Sequence, residues 1–428
     1  MIWLLGFYMW LYVHRPFEVW PALGAMQIER GTMFLMALVW LVSPEKKLIG
    51  NAIHAAVAAF TVVLVAAWVV SPYADRPGCW EVLDTYFKVL VFYCMVVTTV
   101  RDERTFRLLI LMFLGAVALY MAHSLFEFVN GRYQYRMGIR RMTGVDTTFG
   151  DPNAFASGLL YTLPLILPFW YEQPRRVPRW LLLGYVGGVL LCIMLTGSRA
   201  GFMGVCVLGL LMLLAHSRSK LQTLMVGAVV GSVFFLVLSA ALPEELQNRY
   251  LTLVDSSRGP ANAKESADGR MDGFMWGLYV WQQSPLLGHG PASFAYSTGR
   301  GGQAHNLYGQ VLSEMGVVGA VALLGLVVCF WRNWRTAGRL QREHAIPTND
   351  FAYQVSRALG FNVVMLLVMG WSGHNLFRYY WQWFAAFSVI SVHCLGIQAA
   401  AQAQAYMAYH YHQQVADDYP TDRLGFEG

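Results

Sequence analysis

The 428-residue sequence has few charged residues: 13% are Asp, Glu, Lys or Arg, whereas 56% are hydrophobic. Globular domains average about 25% charged residues, so this composition excludes an ordinary water-soluble protein. The apolar runs are long enough to cross a bilayer as helices rather than as barrel strands. The sequence therefore predicts an all-α integral membrane protein.

Cysteine is also scarce and follows no recognisable pattern. Five of the six cysteines fall in apolar runs and only Cys79 lies in a predicted loop, so neither a disulfide framework nor a zinc knuckle is indicated. The sequence has no Walker loop, no GxGxxG and no paired DxD acids, which argues against a cytoplasmic nucleotide-using enzyme. His289 and His305 lack the spacing of a zinc site, so we expect no metal and no other cofactor.

The apolar runs predict about twelve membrane-spanning helices. They divide the chain into nine helices within 1–242, a polar loop at 243–305, three helices within 306–398 and a tail at 399–428. The predicted spans are 2–13, 17–42, 49–71, 82–100, 105–128, 154–170, 180–197, 200–215, 221–242, 306–331, 357–372 and 375–397.

Basic loops set the orientation of these helices. They fall on alternate connections, so all lie on one side of the membrane, which the positive-inside rule assigns to the cytoplasm together with both termini. The polar loop at 243–305 is then on the outer face, and we expect it to be partly helical. The basic connections are 44–47, 101–104, 175–179, 216–220 and 332–342.

The predicted outer face nevertheless carries many arginines and almost no lysine, Lys264 being the exception. Guanidinium groups bind phosphate oxygens in a planar, two-pronged geometry that an ammonium cannot provide. As a set, these arginines indicate an anionic phosphate ligand, although pairing with Glu, lipid phosphates or helix C-termini is the simpler explanation of any single one. The set is Arg132, Arg136, Arg140, Arg141, Arg199, Arg249, Arg258, Arg270, Arg300 and Arg378.

Two basic residues lie close to or within predicted spans. Arg199 belongs to Thr196-Gly-Ser-Arg-Ala-Gly201, a tight turn between two apolar helices, and has no acid nearby in the sequence. An ionisable group at that depth is a functional candidate, with snorkelling to lipid headgroups as the alternative. Lys88 lies about two turns into a span from its outer end, where it could reach the same anion or equally snorkel.

Arg270 ends the segment Ser266-Ala-Asp-Gly-Arg270, which looks like the entry to an outer helix running to about Gln283. Asp268 is a candidate N-cap, which would put Arg270 in the first turn. The alternative to a ligand-binding role is an ion pair with Asp268 or Asp272.

His305 follows the Gly-rich segment 298–302 and begins another helix. A neutral imidazole can accept a proton from a sugar hydroxyl near neutral pH, although a lone histidine at a helix start is more often a surface or capping residue. Asn306 is a candidate to orient it. His374 and Asn375 repeat the His-Asn pair in an outer turn between the last two spans.

Asp151-Pro-Asn153 begins a span on the outer side. An Asp cap followed by Pro in the first helical turn explains this segment structurally. Asn153 is a secondary candidate for contact with a ligand.

These motifs resemble a family in their order along the chain. A T-G-S-R-A-G turn is followed by A-D-G-R, then by P-x-x-G-x-G-P-x-x-F at 285–294 and by H-N-x-x-x-x-x-L-x-E-x-G-x-x-G at 305–319. This order is similar to that of the O-antigen ligase and polymerase superfamily of bacterial envelope glycan assembly. The specific motifs span about 196–319, and the hydropathy resemblance covers nearly the whole chain.

The resemblance implies a multi-helix, GT-C-like glycosyltransferase of the bacterial inner membrane whose site faces the periplasm. It implies a glycan donor carried on polyprenyl (undecaprenyl) pyrophosphate, and a lipid A-core, protein or glycan acceptor. No nucleic acid is expected as a partner. The family's two key arginines correspond to Arg199 and Arg270, its histidine to His305 and its lysine to Lys88. The expected further contacts are Arg140, Arg141, Arg300, Asn306, His374 and Asn153.

Three functions remain open from the sequence. A ligase would transfer a finished glycan to a lipid or protein, whereas a polymerase would join repeat units on the same carrier. The Asp-Pro-Asn and His374-Asn375 segments are similar to those of O-glycosylation ligases, which leaves the acceptor open. A lipid or glycan transporter would need an ionisable path through mid-membrane, and the spans show little of one.

Overall fold

The computed structural model describes residues 1–44, 46–136, 138–148, 150–216, 221, 225, 227, 231–232, 242–252 and 262–418. Six of its helices are long and apolar enough to cross a membrane, and four shorter apolar helices accompany them. The prediction of a helical, multi-pass membrane protein is therefore confirmed, whereas the count of twelve spans is not.

The helices are α1 Ile2–His14, α2 Pro16–Val19, α3 Pro21–Ala25, α4 Ile28–Val42, α5 Ile53–Val69, α6 Pro77–Thr99, α7 Glu103–Val129, α8 Pro152–Leu160, α9 Leu167–Tyr171, α10 Arg179–Leu195, α11 Arg199–His216, α12 Glu244–Leu251, α13 Asn262–Gln283, α14 Phe294–Thr298, α15 Leu307–Glu343, α16 Phe351–Gly370 and α17 Tyr380–Asp418. A 3₁₀ turn, Leu163–Ile166, joins α8 to α9.

Not every predicted span matches one described helix. The span at 17–42 is divided into α2, α3 and α4. Pro16 and Pro21 start α2 and α3, and Gln27, with φ 49° in the left-handed region, precedes α4. The span at 221–242 lies almost entirely outside the described residues, as do Arg258 and the side chains of Arg136, Lys264 and Asp268.

Several predicted cytoplasmic loops meet at one end of the bundle. Arg107 of α7 pairs with Glu172 at 2.8 Å and with Glu103 at 2.6 Å. Gln398 of α17 donates to Glu103 and to Asp350, at 2.8 and 2.9 Å. These contacts join loops that the charge pattern assigned to one side. We call the other end of the bundle, which carries His305, the site end.

The core below the site end is aromatic. Trp383 of α17 is buried, and its ring centroid lies 4.9 Å from that of Phe92, 4.6 Å from that of Tyr379 and 5.7 Å from that of Phe113. Rings from α6, α7 and α17 thus fix these helices against one another, because large aromatic side chains fill space with few rotatable bonds.

A short hairpin interrupts the predicted all-helical pattern. Strands β1 Gln134–Arg136 and β2 Ile139–Arg141 pair antiparallel, with Gln134 opposite Arg141. Alternation along β2 turns Arg141 inward, where it is 3% exposed, and leaves Arg140 exposed. The sequence analysis did not predict these strands, because it searched for long apolar helices and treated this segment as an arginine-rich loop.

The predicted outer loop is largely helical where it is described, with α12, α13 and α14. The predicted end of α13 at Gln283 is confirmed, but its predicted start at Asp268 is wrong. The helix begins at Asn262, so Arg270 lies more than two turns inside it.

All six cysteines are free. Cys79 lies in the first turn of α6 rather than in a loop, and its side chain is buried.

Candidate active site

The Thr196–Arg199 turn is held by two buried arginines. Arg141 Nε donates to the Thr196 carbonyl at 2.7 Å, and Arg249 Nε donates to the Gly197 carbonyl at 2.6 Å. Carbonyls at the end of a helix lack partners within it, and cationic donors there are also favoured by the helix dipole. Arg141 and Arg249 therefore stabilise the end of α10 and fix where α11 begins.

Asn153 supports the same turn from α8. Its Oδ1 accepts hydrogen bonds from Ser198 Oγ at 2.9 Å and from Arg141 Nη2 at 3.1 Å. The predicted cap at Asp151 is confirmed, since its carboxylate accepts from the backbone N–H groups of Asn153 and Ala154. Both Arg141 and Asn153, which the sequence predicts as substrate contacts, thus bind the protein itself.

Arg199 is the first residue of α11 and is half-buried. One of its nitrogens, Nη1, donates to Thr252 Oγ1 at 3.3 Å. Arg270 is close enough to be affected by its charge: burial, and then the positive charge of Arg199, lower the pKa of Arg270. Two guanidinium groups held near each other repel, so their proximity favours an anion between them.

Helix α13, which carries Arg270, packs closely on the start of α15. A Cβ atom at Gly273 would clash with the Ala304 carbonyl, and one at Gly277 would clash with the backbone of Gly309. Because Arg270 precedes Gly273 by three residues, it lies on the same face of α13. The two glycines thus bring this face directly against the chain that carries His305.

His305 is exposed and has a backbone φ of 47°, in the left-handed region. That region is uncommon for residues other than glycine, and His is among those that tolerate it. Asn306 caps α15 by accepting from the N–H groups of Tyr308 and Gly309, both at 3.0 Å, and it donates to the Trp371 carbonyl at 3.1 Å. Asn306 thereby ties the start of α15 to the turn that contains His374.

The two histidines lie in contact. Their ring centroids are 5.2 Å apart, with the planes nearly perpendicular. Burial, and then the charges of Arg378 and His305, lower the pKa of His374 to about 3. His374 is therefore neutral at physiological pH, and only His305 of this pair presents an exposed imidazole.

An open cleft joins these elements. Its walls come from the start of α8, the start of α11, His305 and the turn that follows α16. The residues that line it include Asp151, Asn153, Ala200, His305, His374, Asn375, Arg378, Tyr379 and Tyr380. Buried Nδ1 of His374 and Oδ1 of Asn375 have no hydrogen-bond partner among the described residues. Polar atoms of this kind usually find partners in a folded protein, so the cleft is the polar centre of the site end.

Helix α15 is broken at Gly316, and the 285–291 motif closes the break. Gly316 has φ 64° and ψ −163°, a conformation that is essentially restricted to glycine. The N–H groups of Val317 and Val318 donate to the carbonyls of Pro285 and Leu286, at 2.9 and 3.2 Å. These bonds replace the ones that an unbroken helix would make.

The carbonyl side of the break is also complete. The Ser313 carbonyl accepts from His289 N at 2.8 Å, and the Glu314 carbonyl accepts from Gly290 N at 2.9 Å. Inside a membrane protein, freed backbone groups need such partners because lipid supplies none. The two glycines of the 285–291 motif, Gly288 and Gly290, both have positive φ, which allows the loop to follow the break.

The carboxylate of Glu314 holds the next part of the loop. It is fully buried, and it accepts from Phe294 N at 3.5 Å and from Gln310 Nε2 at 3.2 Å. The motif places Glu314 nine residues after His305, and at this position its carboxylate binds the loop that contains Phe294.

Lys88, Arg140 and Arg300, which the sequence also predicts as substrate contacts, interact with other side chains of the protein. Lys88 pairs with Asp84 at 2.9 Å and with Glu29 at 3.8 Å. Arg140 lies 5.3 Å from the ring centroid of Tyr133. Arg300 lies 4.3 Å from the ring centroid of Trp276, and 3.9 Å from Asp272.

Sequence reasoning did not place Asp151, Tyr379 or Tyr380 in the site, although all three line the cleft. The two tyrosines read as part of the last apolar run. Asp151 was explained by its capping role, which gave no reason to look further. Arg378, a member of the predicted outer arginine set, also lines the cleft.

The fold and the site together define a multi-pass helical membrane protein with a polar, histidine-containing cleft at one end. The family model described as O-antigen ligase matches residues 183–324, which confirms the resemblance to the O-antigen ligase and polymerase superfamily. The match indicates a glycan-transfer role with lipid-linked glycan and acceptor partners. It covers the Arg199 turn, α13, the 285–291 motif, His305 and the break at Gly316. No curated protein matches the chain.

Proposed function

We propose that the protein transfers a glycan from polyprenyl pyrophosphate to an acceptor hydroxyl, in the manner of an O-antigen ligase. The observation that supports this proposal is the packing of α13: Gly273, one turn after Arg270, lies against the Ala304 carbonyl, and the charge of Arg199 lowers the pKa of Arg270. A diphosphate between the arginines would put the attached sugar within reach of the imidazole.

In this reaction the acceptor oxygen attacks the anomeric carbon from the face opposite the diphosphate. The new carbon–oxygen bond forms as the bond to the phosphate oxygen breaks, and its electron pair leaves with the diphosphate. His305 takes the hydroxyl proton. One displacement inverts the anomeric configuration. Arg199 and Arg270 stabilise the charge that develops on the leaving group, as preorganised donors do in a site of low dielectric constant.

The remaining parts of the proposal concern location. The alternating basic loops support a periplasmic site end and cytoplasmic termini. The lipid tail of the donor would lie against apolar helix surfaces next to the site end. We propose no metal ion for this reaction, because the arginines supply the charge that a cation would otherwise contribute.

The test is transfer by the purified protein in lipid, from a defined polyprenyl-pyrophosphate-linked donor, with mass spectrometry of the product. We expect His305→Ala and Arg270→Ala to lower the transfer rate by about 10²-fold or more. Arg339→Ala, which removes an exposed arginine from the far end of α15, and His412→Ala on the exposed tail helix are matched controls. Wild-type rates in both site variants would refute the proposal.

The same product analysis separates the alternatives. One glycan added per acceptor supports a ligase, whereas a ladder of lengths on the carrier supports a polymerase. Movement of labelled lipid across the bilayer without any covalent product would support a transporter.

A further inference from the structure

Asp151 caps α8 with only one of its two carboxylate oxygens. Its Oδ1 accepts from Asn153 N at 2.9 Å and from Ala154 N at 3.3 Å. The described residues form no ion pair with this carboxylate, and its side chain is exposed. Capping therefore uses one carboxylate oxygen and leaves Oδ2 able to accept a further hydrogen bond.

Asp151 also lines the cleft that contains His305, and its negative charge sets it apart there. Among the described residues that line the cleft, Asp151 is the one carboxylate, and it shares the walls with His305, His374 and Arg378. A carboxylate repels a diphosphate, because like charges disfavour each other in a partly buried site. The same carboxylate is a strong acceptor for a neutral hydroxyl. The part of the cleft next to Asp151 therefore suits a hydroxyl better than a diphosphate.

We propose that Asp151 Oδ2 accepts a hydrogen bond from the attacking hydroxyl of the acceptor and holds it for deprotonation by His305. This inference rests on the proposed glycan transfer and assigns the acceptor side of the same site. The proton passes from the hydroxyl to the imidazole, and the carboxylate only accepts a hydrogen bond. The group recognised is an alcohol, on a sugar or on a Ser or Thr side chain.

The test uses Asp151→Asn and Asp151→Ser, because Asn and Ser cap helices about as well as Asp does. Both variants should therefore fold with an unchanged thermal unfolding midpoint while lacking the carboxylate. We expect KM for the acceptor to rise at least about tenfold in both, since hydrogen bonds to charged groups are the stronger ones. KM for the polyprenyl-linked donor should stay within about twofold of wild type.

Asp102→Asn is the matched control. Asp102 caps α7 in the same way, with its carboxylate accepting from Thr105 N, and it lies in a loop predicted on the opposite side. This variant should leave both KM values unchanged.

Two results would overturn the inference while leaving the proposed function standing. One is an unchanged acceptor KM and kcat in Asp151→Asn. The other is an equal rise in both KM values with a lower unfolding midpoint, which would mean that Asp151 is only a cap. Failure of the wild-type protein to transfer any glycan would instead refute the proposed function itself.

Discussion

Two polar regions at the site end differ in how far the chain completes them. At the break in α15, both freed amides and both freed carbonyls are bonded to the 285–291 motif. In the cleft, His374 Nδ1 and Asn375 Oδ1 have no partner in the described part of the chain, and His305 is exposed. Buried polar groups in proteins normally have hydrogen-bond partners. The first region is therefore structural, with all its hydrogen bonds made by the chain, and the second is suited to a polar substrate.

The arginines divide in the same way. Arg141 and Arg249 are 3% and 8% exposed and donate to carbonyls of the 196–198 turn. Arg199 and Arg270 are more accessible, and burial together with the charge of Arg199 lowers the pKa of Arg270. One pair thus stabilises the fold, while the other concentrates positive charge where the proposal needs it. The predictions below test this distinction.

The largest expected effect distinguishes arginines needed for activity from arginines needed for stability. Arg199→Ala should lower glycan transfer by about 10²–10³-fold, as loss of a preorganised charge donor does, with little change in the unfolding midpoint. Arg249→Ala should instead destabilise the protein by about 1.5–3 kcal/mol, because the Gly197 carbonyl loses a buried charged donor. Transfer assays and thermal unfolding in detergent, both made on the same preparations, measure the two effects.

Arg199→Lys sharpens this test. A lysine keeps the charge but cannot form a two-pronged contact with phosphate, so transfer should remain impaired. If Arg199→Ala and Arg249→Ala lost activity and stability to the same extent, the division between the two pairs of arginines would be wrong.

The sequence alone predicted the class of fold well, because hydropathy records burial in lipid directly. It also predicted the family, since the order of the motifs between 196 and 319 is specific. It could not distinguish Arg140 from Arg141, because the hairpin that turns one inward and the other outward depends on pairing across Gly138. It also misplaced the start of α13, because a capping residue such as Asp268 can equally lie inside a helix.

The break in α15 was invisible for a different reason. The segment 306–331 reads as one continuous apolar helix, and Gly316 is a common kind of residue in membrane helices. The break is stabilised by the 285–291 motif, a tertiary contact that no local pattern contains. The position of Asp151 in the cleft was likewise not evident from the sequence, because its capping of α8, which the structure confirms, already explains the residue.

The next largest effect concerns the break in α15 at Gly316. Gly316→Ala should destabilise the protein by about 1–3 kcal/mol, because alanine is strained at this φ and ψ and its Cβ would clash with the Leu286 carbonyl. Gly325→Ala is the matched control on the same helix, since a Cβ there meets no atom within 4 Å. That change should be neutral or stabilise by up to about 1 kcal/mol. Equal unfolding midpoints for the two variants would contradict the structural role of the break.

The smallest effect concerns the protonation of His374. Its pKa is lowered to about 3, chiefly by burial, whereas an unfolded histidine titrates near 6.5. The unfolded state therefore binds the proton more readily, and the stability of the folded protein should fall as the pH is lowered from about 6.5 toward 3. Between pH 7.5 and pH 5.5 this contribution is about 1 kcal/mol.

His374→Gln removes this titration while keeping a polar side chain in the cleft. The loss of unfolding midpoint between pH 7.5 and pH 5.5 should thus be smaller in His374→Gln than in wild type. His412→Gln, on the exposed tail helix, should leave the wild-type loss unchanged. An identical pH dependence in all three proteins would mean that protonating His374 costs little free energy. The polar groups of the cleft would then be better satisfied by the protein itself than the comparison with the helix break implies.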